Sequence, residues 1–371
     1  VGDDGDAVEL TIEPGTIVYG NPSTRGTLAV SRGSRLIADG TAAAPIVFTS
    51  PRAPGARRAG DWGGVAIDGY APVNGCPDAP CVFDGEGGTG RYGGDRENDD
   101  SGVLRYVRIE FAGALYSPED ELNSLALQGV GRGTVIDHLQ LHVGADDGIE
   151  FFGGTVDVRH VLVTGASDDS FDWTSGWRGH AQFVGILQHP DSGDHALEAD
   201  NNELDFEAEP RSLPTLANFT MVGRIGSGTG ALFRRGTGVA LSNSIVEGFG
   251  VCVDVVDDAT WTNGYAGVVP SGELVVAGTW LDCGSAFSES AFGTHSVQSW
   301  LETDNPANVF GPAELVDPSN LDRPDLRLLP TSAALDAALP PLDDAIDAVD
   351  YVGAFDAVTD WTTGWTTAGT N

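Results

Sequence analysis

Apolar and polar residues recur along this chain in two short phrases that alternate with each other. The first runs Asp146-Asp-Gly-Ile-Glu150, Asp168-Asp-Ser-Phe-Asp172 and Asp194-His-Ala-Leu-Glu198. From Asp146 to Asp168 is 22 residues and from Asp168 to Asp194 is 26. That is the length of one coil of a solenoid, so like-positioned residues are expected to lie one above another. Ser124 to Gln128 extends the series backward, and Thr229 to Phe233 and Gly250 to Asp254 extend it forward. The fourth position of each copy is apolar: Leu127, Ile149, Phe171, Leu197, Leu232 and Val253. The second phrase begins at Leu104, Ile136, Val158, Leu216 and Leu241, with apolar residues at its first, fourth and sixth positions in most copies. Alternation broken once by a polar residue predicts a strand, a bend and another strand. The bend position holds Tyr106, His138, His160, Asn218 and Asn243, which are expected to stack as an inward ladder that hydrogen-bonds the turning backbone.

This ladder and its repeat resemble those of right-handed parallel β-helices, the pectate-lyase-like solenoids. Leu10 to Gly15 with Gly40 to Thr49 looks like the first coils of such proteins, and Asp325 to Asp336 with Asp350 to Phe355 looks like their closing segment. Gly60-Asp-Trp-Gly-Gly64, the Asp-Asp phrases and Arg234-Arg-Gly-Thr-Gly238 are similar to a narrower group of exported bacterial β-helix proteins. The resemblance implies an all-β, right-handed parallel β-helix: one elongated domain with loop insertions over residues 1–371. Residues 1–70 would be N-terminal coils, 101–260 the central coils with the acidic stack, and 261–371 the C-terminal coils and closing segment. It implies export from a bacterium to the extracellular space or outer cell surface, and no particular activity.

Composition agrees with many short strands joined by tight turns, since 51 glycines and 20 prolines accompany the alternating apolar residues. The formal charge of -36 argues against nucleic acid and against anionic membranes, which need basic side chains. All 19 basic residues are arginine, so no lysine serves as base, Schiff-base nucleophile or phosphate clamp. Four cysteines without zinc-like spacing predict two disulfides, Cys76 with Cys81 and Cys252 with Cys283, and an oxidising compartment. No apolar run is long enough to cross a bilayer. The start at Val1, followed by an Asp/Gly-rich stretch, reads as a processed chain whose leader has been removed.

Candidate chemistry lies in the first phrase. On a strand with Ile149 inward, Asp146, Gly148 and Glu150 face outward, followed one coil on by Asp168, Ser170 and Asp172, then by Asp194, Ala196 and Glu198. Two columns of carboxylates would then flank a column of small residues. Unit charges about 4.8 Å apart repel by roughly 0.9 kcal/mol in water and about 3.5 kcal/mol at an effective dielectric of 20. A bound cation, raised pKa values, or Arg178, Arg234 and Arg235 must relieve this. Among metals Ca2+ fits an oxygen-rich cluster, with Asp146, Asp147, Glu150, Asp168, Asp169, Asp172, Asp194, Glu198 and Asp200 as candidate ligands. The same aspartates could instead accept backbone N–H bonds at turns.

A catalytic reading uses Asp168, Asp169, Asp172 and Asp194 with His195 or His180, and Arg234 as the cation in register. For glycan contact, Trp173 and Trp177 in the loop after the Asp168 coil are the candidate stacking residues, joined by Phe152 and Trp62, unless they fill a turn. Two classes of function follow. One is a secreted or cell-surface structural or binding protein that takes calcium and engages a polysaccharide or cell-surface glycan, or assembles end to end with its own copies. The other is an extracellular polysaccharide lyase or glycoside hydrolase.

Overall fold

The computed structural model describes residues 1, 6–116, 122–190, 192–224, 226, 228–265, 273–305 and 307–368. The Gly2 to Gly5 part of the acidic start therefore lies outside the described residues. Each winding gives one short strand to one parallel sheet and one longer, bent strand to another. The short-strand sheet stacks nine strands: Thr27–Val30, Gly64–Asp68, Leu125–Gln128, Ile149–Phe152, Phe171–Thr174, His195–Ala199, Thr229–Phe233, Val251–Val255 and Ser285–Phe287. Among the described residues the larger sheet has fourteen strands. Its central windings run unbroken through the bend as Gly102–Glu110, Val135–His142, Asp157–Thr164, His180–Leu187 and Thr215–Val222, whereas nearer the ends each winding splits in two, as in Val239–Ser242 and Ile245–Glu247. This is the solenoid that the spacing predicts, in the parallel β-helix form that the resemblance implies.

Apolar files fill its interior. Leu104, Ile136, Val158, Ala181, Leu216 and Leu241 stand in register, as do Ile109, Leu141, Val163, Ile186, Met221 and Val246, and all are buried. Ile149, Phe171, Leu197, Ala231 and Val253 face them from the other sheet. Two sequence assignments shift here. Ile149 pairs with Leu125 rather than Leu127, a two-residue offset that keeps both leucines inside. Leu197 pairs with Ala231, so Leu232 stands beside Glu198 on the outer file. A one-residue slip reverses the face of a strand residue and a two-residue slip does not.

The bend residues adopt left-handed backbone, with φ of 49° at Tyr106, 58° at His138, 49° at His160, 57° at Asn218 and 50° at Asn243. Phe183 belongs to the same ladder with φ 61°, a copy hidden from the sequence because its bend residue is apolar. The ladder points outward, contrary to expectation. Leu139, Val161, Val184 and Phe219, the next residue in each strand, fill the inner corner, and the left-handed residue before each one projects away from it.

What covers the ladder is the closing segment, which runs back along the outside of the large sheet. Its Leu326, Leu328, Val352, Ala354 and Phe355 pack on Leu162, Leu187, Val222 and Ile245. Asn218 Nδ2 donates to Tyr351 O at 3.1 Å. Asn243 makes a paired contact, Nδ2 to Leu339 O at 2.9 Å and Leu339 N to its Oδ1 at 2.8 Å. Asn218, 1% exposed, is thereby a buried structural residue. Both predicted disulfides are present, and Cys252–Cys283 ties one winding to the next. Among the described residues no helix is long and apolar enough to cross a membrane.

Asn243→Ala removes two hydrogen bonds and puts a Cβ-bearing residue without a local polar partner at positive φ, a loss of about 2–4 kcal/mol. The expected result is a lower denaturation midpoint together with faster proteolysis of residues 339–368. Asn243→Gly, free of the backbone strain, should recover part of the stability but not the protease resistance.

Candidate functional site

The outer face of the short-strand sheet carries the acidic phrase, but not in the columns that simple alternation predicts. Gly148 points inward: a Cβ there would meet Val163 Cγ1 and Ser170 O at 2.5 Å. Ala196 is likewise a core residue and Ser170 is 1% exposed. Two successive residues, Gly148 and Ile149, thus face inside, and the outward side chains are those before and after them. The turn entering the strand breaks the period of two, which explains the error.

The consequence is a different pair of files. Asp147, Asp169 and His195 form one, linked because Asp147 Oδ1 accepts from Asp169 N at 2.9 Å and Asp169 Oδ1 accepts from His195 N at 2.8 Å. Glu150, Asp172 and Glu198 form the other, in direct register on adjacent strands. Carboxylate oxygens of Asp147, Glu150 and Asp172 all lie within 4.8 Å of one another. Asp169, His195 and Glu198 form a second cluster by the same measure, and Asp146, Asp147 and Asp168 a third. Asp168 and Asp194 stand at the exposed margin. His180 is not part of this face; it contacts Asp157 at 2.8 Å and Asp343 at 3.4 Å.

Arginine closes one end of the groove. Arg234 Nη2 pairs with Glu198, its Nε donates to Asp200 at 2.9 Å, and Arg235 Nη1 reaches Asp200 at 2.6 Å. This guanidinium is engaged as a donor, so it is no free base, and Asp200 belongs to the arginine end rather than to the carboxylate cluster. Arg178 stays exposed at the surface. At the other end Asn123 Nδ2 donates to Glu150 Oε2 at 2.6 Å and to Glu86 Oε2 at 3.0 Å. Among the described residues two shielded oxygens of the groove have no hydrogen-bond partner: Asp172 Oδ1 and Asn123 Oδ1.

Burial and mutual repulsion decide the protonation of the cluster. Burial, followed by the charges of Asp172 and Asp169, pushes the Asp147 carboxyl well above the usual range. Burial with Glu86 and Asp172 does the same to Glu150, and burial with Asp169 and Asp200 to Asp172. Burial also lifts Asp200, to about 6, against the pull of Arg235. For His195, burial works against the charged form, but the Asp169 contact at 2.8 Å outweighs it and the imidazole pKa rises.

Trp173 and Trp177 are not a sugar platform. Both are 0% exposed; Trp177 stacks on Phe151 at 3.9 Å, and their indole N–H groups donate to Thr237 Oγ1 and Val156 O. Trp62 is also interior, its Nε1 donating to Glu110 O at 2.8 Å. A buried indole satisfies its one donor inside the coil and offers no face to solvent. Only Phe152 of the proposed aromatics is partly exposed, beside Tyr92. Glu86, which completes the groove, lies outside the repeated phrases, whereas Asn123 stands two residues before Leu125 as Asp147 stands two before Ile149 and was hidden by the two-residue offset of its winding.

Residues 5–305 match a family described as the pectate-lyase-like β-helix domain. The chain belongs to that family. Among solved structures it is similar to the crystal structure of pectate lyase Pel9A, at 12% identity and a TM-score of 0.44, covering 94% of this chain and 87% of that one. A search of curated proteins returned no match. The acidic face is therefore built on the windings of a pectate-lyase-like β-helix domain.

A carboxyl whose pKa is raised on folding stabilises the folded state fully below its unfolded pKa and loses that contribution as pH rises through the folded value. With ordinary values of 3.8 for Asp and 4.5 for Glu, the β-helix in chelator should be more stable at pH 5 than at pH 8. Asp172→Asn should flatten that dependence in denaturant titrations at the two pH values, and an unchanged slope would count against the cluster as its source.

Proposed function

We propose that this is an exported β-helix scaffold whose acidic groove takes a calcium ion, with a structural or binding role. One observation carries the reading: Asp147, Glu150 and Asp172 converge within 4.8 Å while Asp172 Oδ1 and Asn123 Oδ1 remain unpartnered. The donors are all oxygen, which suits a hard cation with loose geometry. Asp147, Glu150 and Asp172 would hold the ion, with the Asn123 amide oxygen as a neutral fourth donor and Asp146, Asp168 and Asp169 around them. Magnesium fits less well because it demands a tight octahedron. Glu198 and Asp200 are taken up by Arg234 and Arg235, so the ion belongs at the Asn123 end of the groove. Two disulfides are compatible with an extracellular setting.

The opposite arginine end supports a second reading, cleavage of a neutral polysaccharide. There Asp172, with its raised pKa, lies near Arg234, which it influences electrostatically. A carboxyl kept protonated is what a general acid requires, and Asp169 or Glu198 would be the second carboxyl of the pair. End-to-end assembly has support of its own. In the large sheet Glu9–Ile12 and Val309–Phe310 are the terminal strands, and Leu10, Ile17, Tyr19 and Phe310 are exposed there.

Calcium titration followed by thermal melting tests the main reading. A ligand bound only by the folded form at about 100 times its Kd adds about 2.7 kcal/mol, so melting should rise by several degrees and fall back with chelator. Glu150→Gln and Asp172→Asn should each abolish the rise, whereas absence of any rise in the parent would leave the aspartates as structural hydrogen-bond acceptors. New reducing ends from a neutral polysaccharide, lost in Asp172→Asn and retained in chelator, would favour the enzyme instead. A single monomer mass in light scattering over a wide concentration range would remove the end-to-end assembly.

A further inference from the structure

On the far side of the coil from the acidic groove, the outward ladder contains a second constellation. Tyr106, His138, His160 and Phe183 stack as four rings, with centroid separations of 4.4, 4.4 and 5.1 Å. Asp137 lies beside the two imidazoles, and its single Oδ1 contacts His138 Nδ1 at 2.9 Å and His160 Nδ1 at 2.8 Å. Two nitrogens from adjacent windings and one carboxylate thus converge on one point. We propose that Asp137, His138 and His160 form a binding site for a borderline divalent transition metal of the zinc or copper class.

The donor set is two imidazole nitrogens and one carboxylate oxygen, which suits zinc, copper or nickel and not calcium. The three ligand atoms already lie within 4.8 Å of one another. Ligation requires the two rings to turn toward each other as well as a small opening, because their planes lie only 25° apart and the in-plane Nδ1 lone pairs run nearly side by side, whereas both must point at a zinc ion held at about 2.0–2.1 Å. It also needs no net loss of protons from neutral rings. Each imidazole that offers Nδ1 to the metal carries its hydrogen on Nε2 instead.

The ladder holds the ligands in place before any metal arrives. Tyr106 covers one imidazole face and Phe183 the other, and the left-handed backbone at His138 and His160 fixes where each ring begins. Ligands locked by packing lose little entropy on binding. Exposure remains sufficient for an ion to enter: the side chains of His138, His160 and Asp137 are 16%, 25% and 31% exposed. Arg105 and Arg159 flank Asp137 in register. Their charges are matched by Asp39 at 2.8 Å and Asp347 at 2.5 Å, so they do not cancel that of Asp137. Trp361 lies 5.4 Å from the His160 ring and 6.2 Å from that of His138, and Trp365 lies 5.8 Å from His138.

The test is calorimetric titration of the full chain with zinc chloride, and with copper chloride while following tryptophan emission. Asparagine is the substitution of choice, because Asn218 and Asn243 occupy the same ladder with the same backbone. The parent should bind about one zinc at this site. His138→Asn and His160→Asn should each weaken binding by at least about tenfold, on the scale by which even outer-shell changes lower metal affinity. The double variant should abolish zinc binding and the copper quenching of Trp361 and Trp365, with its melting curve retained. Asp137→Asn should weaken zinc binding while leaving all four ladder rings in the chain, which keeps the test decisive if the double variant fails to fold. Excess calcium should not compete, and Asp172→Asn should leave zinc binding intact, separating this site from the acidic groove. No zinc heat from the parent, or equal affinity in parent and double variant, would overturn the proposal.

Discussion

Parallel, in-register stacking is the constraint on which everything else in this molecule depends. Neighbouring strands lie about 4.8 Å apart, so each residue meets its counterparts one winding above and below. A file of valines and leucines becomes a continuous core, as in the Ile109 to Val246 series. A file of carboxylates becomes a field that must be neutralised, and a file of rings becomes a stacked column. The same geometry that makes the core inexpensive to build makes the Glu150, Asp172 and Glu198 column costly.

The molecule answers that cost differently at different heights. At Glu198 and Asp200 the neutralising charge comes from ion pairs with Arg234 and Arg235. At Asp147, Glu150 and Asp172 no salt bridge forms among the described residues, Arg234 acts on Asp172 only through its field, and the carboxyls instead hold their protons more tightly. The groove is thus graded from arginine-paired to proton-paired, which is why a cation and a general acid are both chemically sensible occupants of the role. On the opposite face Asp137 is stabilised by two imidazole contacts. There the ladder and the closing segment, rather than a neighbouring strand, determine what the side chains meet.

Much of this was legible in the chain. Spacing of the Asp-Asp phrases located the windings, and the bend residues marked the corner at Tyr106, His138, His160, Asn218 and Asn243. The cysteine pairing followed from four cysteines without zinc-like spacing, and the vertical column of Glu150, Asp172 and Glu198 from register. Tryptophan placement did not. Trp173-Thr-Ser-Gly-Trp177 reads as an aromatic loop, and whether an indole turns toward solvent or into the coil depends on the space left by Phe151, Phe171 and Phe219. Local sequence carries no record of that space.

The sequence by itself determined the period, the inward apolar files and the excess of acid, because each of these is set by residues a fixed distance apart along one chain. Tertiary structure decided which face each polar residue took. Consecutive inward residues at Gly148 and Ile149 moved Asp147 outside, and the packing of a distant closing segment turned the ladder into an outer seam. A period-two argument cannot see a turn that consumes one residue, nor a partner more than a hundred positions away. The physical reason is that facing is fixed by the volume available inside the coil, and that volume is shared among windings.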